Sequence, residues 1–280
     1  QIANAHTIFN VVMALVFLPF GTLFARFCEA VVPDKTEAEL AAEGAVSGAY
    51  KPKYLDDNLL TTPALAIGMV RREMNIMADT LEQMINDVPD AVFKGDLKKM
   101  EEIRQLDDRV DEIHDAIAHY LSQVGSQNIP AHTADEVMAA ITATSEMESI
   151  GDIIENNLSH LAEVCASGNI KLSDEVIGAL GEYHQAVKKA FQTSVTAFVS
   201  DNRQAAEMVM NMKDEISSMD AQSRAKQMQA LQSGEAVDSL NTYTLQMDIR
   251  ENLKRIYYHT KRISKLVART EDAAAWKAVS

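Results

Sequence analysis

Cysteine is nearly missing from this chain. Cys28 and Cys165 are the only two, and they lie far apart. That excludes a disulfide framework and fits reduced thiols in a protein facing the cytosol. Aromatic residues make up only 6 %, and 11 Gly and 6 Pro leave few breaks among 280 residues. With 14 Met and 47 % hydrophobic residues, such a chain is expected to be all-helical with aliphatic cores. Positive charge is short as well: 26 Lys and Arg against 41 Asp and Glu give a formal net charge of -15. No Lys/Arg face is on offer for a phosphate backbone, so nucleic acid is not an expected partner. Catalytic signatures are absent too. There is no Gly-rich phosphate loop, no His-Glu-x-x-His, no Cys-x-x-Cys and no nucleophile paired with a base, so an enzyme is not expected.

Long hydrophobic runs are absent after Pro33, but one precedes it. Residues 8–25 read IFNVVMALVFLPFGTLFA without a charged side chain. About 18 residues make a helix of roughly 27 Å, enough for a hydrocarbon core. Apolar residues cover all its faces, and Pro19 and Gly21 within it are better tolerated in membrane helices than in soluble ones. A signal peptide fits poorly, because a basic leader and a small-residue cleavage site are both missing. A buried helix of a soluble core is the other reading. Arg26 and Lys35 follow the run and no basic residue precedes it, which places the acidic body on the cytoplasmic side. His6 and Asn10 would face a protein interior or a water-filled cavity. The chain opens at Gln1 directly into this segment. The expectation is therefore the last membrane helix, residues 1–32, of a longer protein.

Residues 33–61 read as a linker, with Pro33, Gly44, Gly48 and Pro52. Thr62 and Pro63 then predict a helix start: threonine caps, and proline fits the first turn. Apolar residues recur at helical spacing up to Val88, and Pro89 and Gly95 mark a break. Further helices are predicted from about Asp96 to Val124, His132 to Ala166, Ser173 to Val199, Asn202 to Gln232 and Ala236 to Ala268. Gly168-Asn169 and Ser233-Gly234 supply stops. Met74, Met77, Met84, Met208, Met210 and Met212 read as adaptable core filling. The result is two sets of three helices, residues 62–168 and 169–270, with a tail at 271–280. At an offset of about 106 residues Val110 falls on Ile216, Ile113 on Met219, Met147 on Leu253, Ile150 on Ile256 and Leu161 on Val267. Three successive helices matching at one offset point to duplication. The fold expected is all-α: a membrane helix followed by two tandem three-helix bundles.

The candidate chemistry is acidic. Asp107 and Asp111 lie four apart on the second helix, with His114 beyond them; Glu148 and Asp152 lie four apart on the third, followed by Glu155. That spacing puts each pair on one helix face. Two such helices side by side offer four oxygen donors to a cation, and imidazole would shift the choice toward iron, manganese or zinc. Acids at this spacing are also common on the solvated faces of an acidic protein. Asp107, Asp111 and His114 fall within about 60° of one another beside the apolar stripe, whereas Asp108 and Glu112 point away. In the second set the four acids become Lys213, Ser217, Lys254 and Tyr258. A second metal site is therefore not expected. Instead Arg250, Lys254, Arg255, His259, Lys261 and Arg262 make the last helix locally basic. This is either a solvated face or a contact for acidic lipid or an acidic partner.

Two segments carry a family resemblance. Gln1 to Thr7 followed by Phe9-Asn10 resembles the start of the last membrane helix of bacterial sodium/phosphate cotransporters. Met147-Glu148-Ser149-Ile150-Gly151-Asp152 resembles the Leu-Glu-Arg-Ile-Gly-Asp signature of PhoU-like domains, with Asp107 to Asp111 as the companion motif. Ser149 stands where the signature has arginine, and the second bundle lacks the acids. The resemblance implies a PhoU-like domain that regulates a sodium-dependent phosphate transporter from the cytoplasmic side of a bacterial cell membrane. It implies a metal held by Asp107, Asp111, Glu148 and Asp152, and sodium and phosphate sites in an upstream membrane region. The implied partners are that membrane region, anionic lipid or a phosphate-signalling protein, and further copies of the chain. A membrane-tethered PhoU-like metal-binding regulator without transport activity is the alternative. A signalling coiled coil is disfavoured by the Gly and Pro breaks.

Overall fold

A computed structural model describes residues 50–167, 172–232 and 239–279. The expected membrane helix (1–32), most of the linker, the stop at Gly168-Asn169 and the break at Ser233-Gly234 lie outside the described residues. Among the described residues no helix is long and apolar enough to cross a membrane.

Among the described residues six rods make the body. They are α1 (Pro63–Val88), α2 (Leu97–Gly125), α3 (Ala131–Asp152) with α4 (Ser159–Ala166) as its continuation, α5 (Asp174–Val199), α6 (Arg203–Gln232) and α7 (Ser239–Val279). No strand occurs among the described residues.

The caps follow local chemistry, with one correction. Asp96 accepts from the amides of Lys98 and Lys99, and Ser173 accepts from Val176, satisfying donors that the first turn leaves open. Pro63 opens α1 as expected, but the Thr62 side chain makes no capping bond. Its ψ of 79° falls short of the extended geometry that aims a side-chain oxygen at those amides. Pro89 does not stop the first rod either. Its missing N–H ends the α pattern, and a π-helical turn, Pro89–Phe93, carries the rod on. Gly95 ends it, with φ at +69°, and a Cβ there would lie 2.8 Å from the Ala166 amide nitrogen. Only glycine fits both that backbone and that approach. A second π-helical turn, Ile153–Leu158, joins α3 to α4. The last helix runs through Val279, past the stop expected at Ala268 and through the segment read as a tail.

Within the first bundle α1 packs on α2 and α3; within the second, α7 packs on α5 and α6. The bundles meet where α7 crosses α3 and α5 meets α1. Met74, Met77 and Met84 are buried, as expected of core filling, whereas Met208 is largely exposed. Residues Tyr50–Ser280 form one compact unit.

Candidate functional site

The four expected acids lie along the seam between α2 and α3. Asp107 is the deep one, 7 % exposed. Glu148 is half-buried, and Asp111 and Asp152 stand at the exposed rim. Gly151 creates the room for Asp107: a Cβ on Gly151 would lie 2.5 Å from Asp107 Oδ1. That oxygen is buried and accepts no hydrogen bond from the described residues. An unpaired buried carboxylate is costly, and the protonation behaviour reflects it. Burial first, then the charges of Asp111, Glu155, Asp152 and Asp108, push Asp107 up to about 7. Burial and Asp152 raise Asp111 while His114 opposes them. Burial and Asp152 likewise raise Glu148, again against His114.

These groups therefore feel one another across the seam, as the i, i+4 spacing anticipated. Glu155 joins them from the π-helical turn, where the widened helix follows directly on Asp152. Asp108 points away, as read from the sequence. Glu112 does too, but its Oε2 accepts from the Tyr50 amide at 3.2 Å. Among the described residues no three His, Cys, Asp or Glu side chains converge on a metal-sized point. The donor chemistry nonetheless suits a cation: carboxylate oxygens on two helices, one of them unsatisfied, with His114 beside them.

The second bundle has filled the corresponding space. Tyr257 stands where the first bundle has Gly151; it is buried and donates to the Val209 carbonyl at 3.0 Å. Lys254, at the position of Glu148, lies 3.4 Å from Asp220, which also receives Arg224 at 2.6 Å. An internal ion pair and a tyrosine ring thus replace the acids.

Two buried acids escaped the sequence reading. Glu73 is fully buried and accepts from the Lys53 and Tyr54 amides, at 3.1 and 2.7 Å, and from the Tyr50 hydroxyl. Its position between Val70 and Met77 in the apolar stripe was the available signal. Glu146 takes His259 Nδ1 at 2.8 Å and Arg262 Nε at 3.0 Å, pinning α3 to α7. The locally basic helix is thereby largely engaged within the molecule. Arg250 is not on a solvated face at all, being 4 % exposed.

Comparison with known proteins places these features. A family model described as PhoU domain matches residues 74–160 and 180–267. The two spans begin at the offset of about 106 that relates the bundles in sequence. The chain is similar to the Salmonella typhimurium protein named "Putative inorganic phosphate export protein YjbB", 25 % identical over 251 residues, covering 90 % of this chain and 44 % of that protein. The Escherichia coli protein of the same name is 25 % identical over 208 residues, covering 74 % of this chain and 37 % of its own length. The chain thus spans less than half the length of these relatives. The crystal structure of PhoU from Pseudomonas aeruginosa has a TM-score of 0.66 at 18 % identity, covering 73 % of this chain and 96 % of that one. The two share a fold.

Proposed function

The chain belongs to the PhoU domain family, and from that premise we propose that it is the regulatory C-terminal portion of a sodium-dependent inorganic phosphate transporter. The apolar segment at residues 8–25 would be the carrier's last membrane helix, and the bundles would hang on the cytoplasmic side of a bacterial cell membrane. The relatives are named for phosphate export; the proposal concerns control of the carrier and holds for either direction of flow.

One observation carries the regulatory reading: the buried Asp107 carboxyl, seated over Gly151 with an unsatisfied oxygen, facing other acids across the α2–α3 seam. Asp107, Asp111, Glu148 and Asp152 would hold iron, manganese or zinc. The bound ion would supply the positive charge that the seam lacks. The residues themselves do the rest. Gly151 admits the Asp107 carboxyl between the helices. Asp111 and Asp152 keep the outer side open to solvent, and His114 lowers the repulsion around Asp111 and Glu148. A domain whose helices repel when empty and are drawn together when loaded has two states to offer a carrier.

Deleting residues 62–280 from the full-length protein should change sodium-driven phosphate flux or its response to external phosphate. Identical flux and response would overturn the regulatory role. Asp111→Ala with Asp152→Ala should abolish metal recovered with the purified chain; equal metal content would show these acids to be ordinary surface.

A further inference from the structure

The four seam positions of the first bundle, together with Glu155, have counterparts in the second at the offset of about 106. They are Lys213, Ser217, Lys254, Tyr258 and Lys261. Every acid has become a cation or a hydroxyl. The pairing of positions survives the inversion. Glu155 acts on Asp107 as a like charge in the first bundle, and Lys213 acts on Lys261 as a like charge between the packed α6 and α7 in the second. Lys265, one turn on the same helix, adds a third like charge beside Lys261.

Lys254 already has a partner in Asp220. Lys213, Lys261 and Lys265 have none: among the described residues no hydrogen bond or ion pair reaches any of the three ammonium groups. Lys213 and Lys265 are exposed and Lys261 is half-buried. Burial, then Lys265 and Lys213, hold Lys261 below the usual lysine range, and Asp214 opposes them. In a protein with a net charge of -15, partners for lysine are plentiful. Lys213, Lys261 and Lys265 lie on the packed helices α6 and α7 and make a locally positive face, with Asp214 as the acid that acts on Lys261. Ser217 and Tyr258 are exposed on the same two helices and bring hydroxyl donors.

We propose that this face of the second bundle, centred on Lys213, Lys261 and Lys265 with Ser217 and Tyr258, is a binding site for a phosphate-type oxyanion. Ammoniums donate and cannot accept, hydroxyls can turn their O–H toward an acceptor, and a phosphate carries the matching charge and three or four acceptor oxygens. The duplicated fold then offers a cation seat in one bundle and an anion seat at the same place in the other. The inference stands on the second bundle's residues and needs no metal in the first. The shared chemistry admits two sources, free inorganic phosphate and the phosphodiester of a lipid headgroup.

The test is calorimetric titration of the full chain in neutral detergent, once with inorganic phosphate and once with glycerophosphoglycerol, the water-soluble headgroup of an anionic lipid. The wild type should bind at least one of them. The triple variant Lys213→Gln/Lys261→Gln/Lys265→Gln should lose about tenfold or more in affinity, as expected for loss of charge-assisted bonds. The triple Lys→Arg variant should retain binding, and so should Lys98→Gln on α2. Binding of inorganic phosphate identifies the free anion; binding of the diester alone identifies lipid. Both support the site. No binding of either probe, or equal binding by the glutamine triple, overturns it. Asp111→Asn/Asp152→Asn should leave binding intact. Loss of binding in that background would mean that phosphate rides on a metal in the first bundle, and the proposal would fail.

Discussion

Asp107 holds an oxygen that nothing among the described residues satisfies, and a single-atom change tests what that costs. Asp107→Asn keeps the shape over Gly151 and removes the buried charge. Relief of repulsion from Asp111, Asp152 and Glu155 should raise the thermal midpoint of the metal-free chain by about 2–4 °C, the shift that ~1 kcal/mol gives at this size. The same change should weaken metal-dependent stabilisation. A gain in stability with a loss of binding is the mark of a residue kept for function; a lower midpoint without metal would show that Asp107 is structural. Gly151→Ala probes the other half of the contact. Its Cβ would sit 2.5 Å from Asp107 Oδ1, so the carboxyl or the helix must move. Overpacking of this kind costs about 1–3 kcal/mol, readable as an earlier urea midpoint. Because the clash falls on the carboxyl itself, Asp107→Ala in the same chain should recover most of the loss.

Between elements, buried polar groups hold the two bundles to each other. Glu146 on α3 engages His259 and Arg262 on α7. Arg262 is well exposed, so the pair is worth less than a dry one. Glu146→Ala should cost about 1–3 kcal/mol, with a lower slope of free energy on denaturant if the bundles begin to unfold separately. His184 on α5 joins the same interface, placing Nε2 2.7 Å from the Ile85 carbonyl on α1. Burial is the chief cause that lowers its pKa, aided by Lys188 and opposed by the bond to Ile85. An unfolded histidine takes up a proton near pH 6.5 while the folded one resists. Stability should therefore be present above that pH and be lost as pH falls below it. Urea midpoints at pH 7.5 and 5.5 should differ less in His184→Gln than in the wild type. Much of this level was legible in the sequence and some was not. Apolar periodicity located the six rods because each buries one stripe, and Asp107 was found because it borders such a stripe at i, i+4 from Asp111. The π-helical turns were not visible, since one extra residue in a turn barely disturbs apolar spacing. The end of α7 was misplaced because no glycine or proline follows Ala268. Glu146 was missed because its partner His259 lies 113 residues away, a separation that no local pattern reports.

At the scale of the molecule, α2 serves two masters. One side carries Asp107 and Asp111; the other carries Arg109, stacked 5.8 Å from the Tyr50 ring, and Glu112, which accepts from the Tyr50 amide. Tyr50 begins a strap, residues 50–60, that lies along the first bundle. Its far end is fixed by Tyr120, also on α2, which donates to the Asp56 carbonyl at 2.8 Å. Its near end is fixed by the buried Glu73 carboxylate. The strap is therefore bonded to both α1 and α2. Each bond to a charged acceptor is worth about 1.5–3 kcal/mol, so losing even one should multiply local opening about tenfold. Glu73→Ala should therefore speed tryptic cleavage after Lys53, the bond to Tyr54, by at least about that factor, while the helical circular dichroism of the bundles is kept. Adding metal to the wild type should alter the same cleavage rate, and Asp111→Ala with Asp152→Ala should remove that response. If cleavage responds to Glu73→Ala but not to metal, the strap is an anchor only, and the proposed control of a carrier would have to leave the domain by another route. If it responds to both, the acidic seam and the strap are coupled through α2 and Glu73.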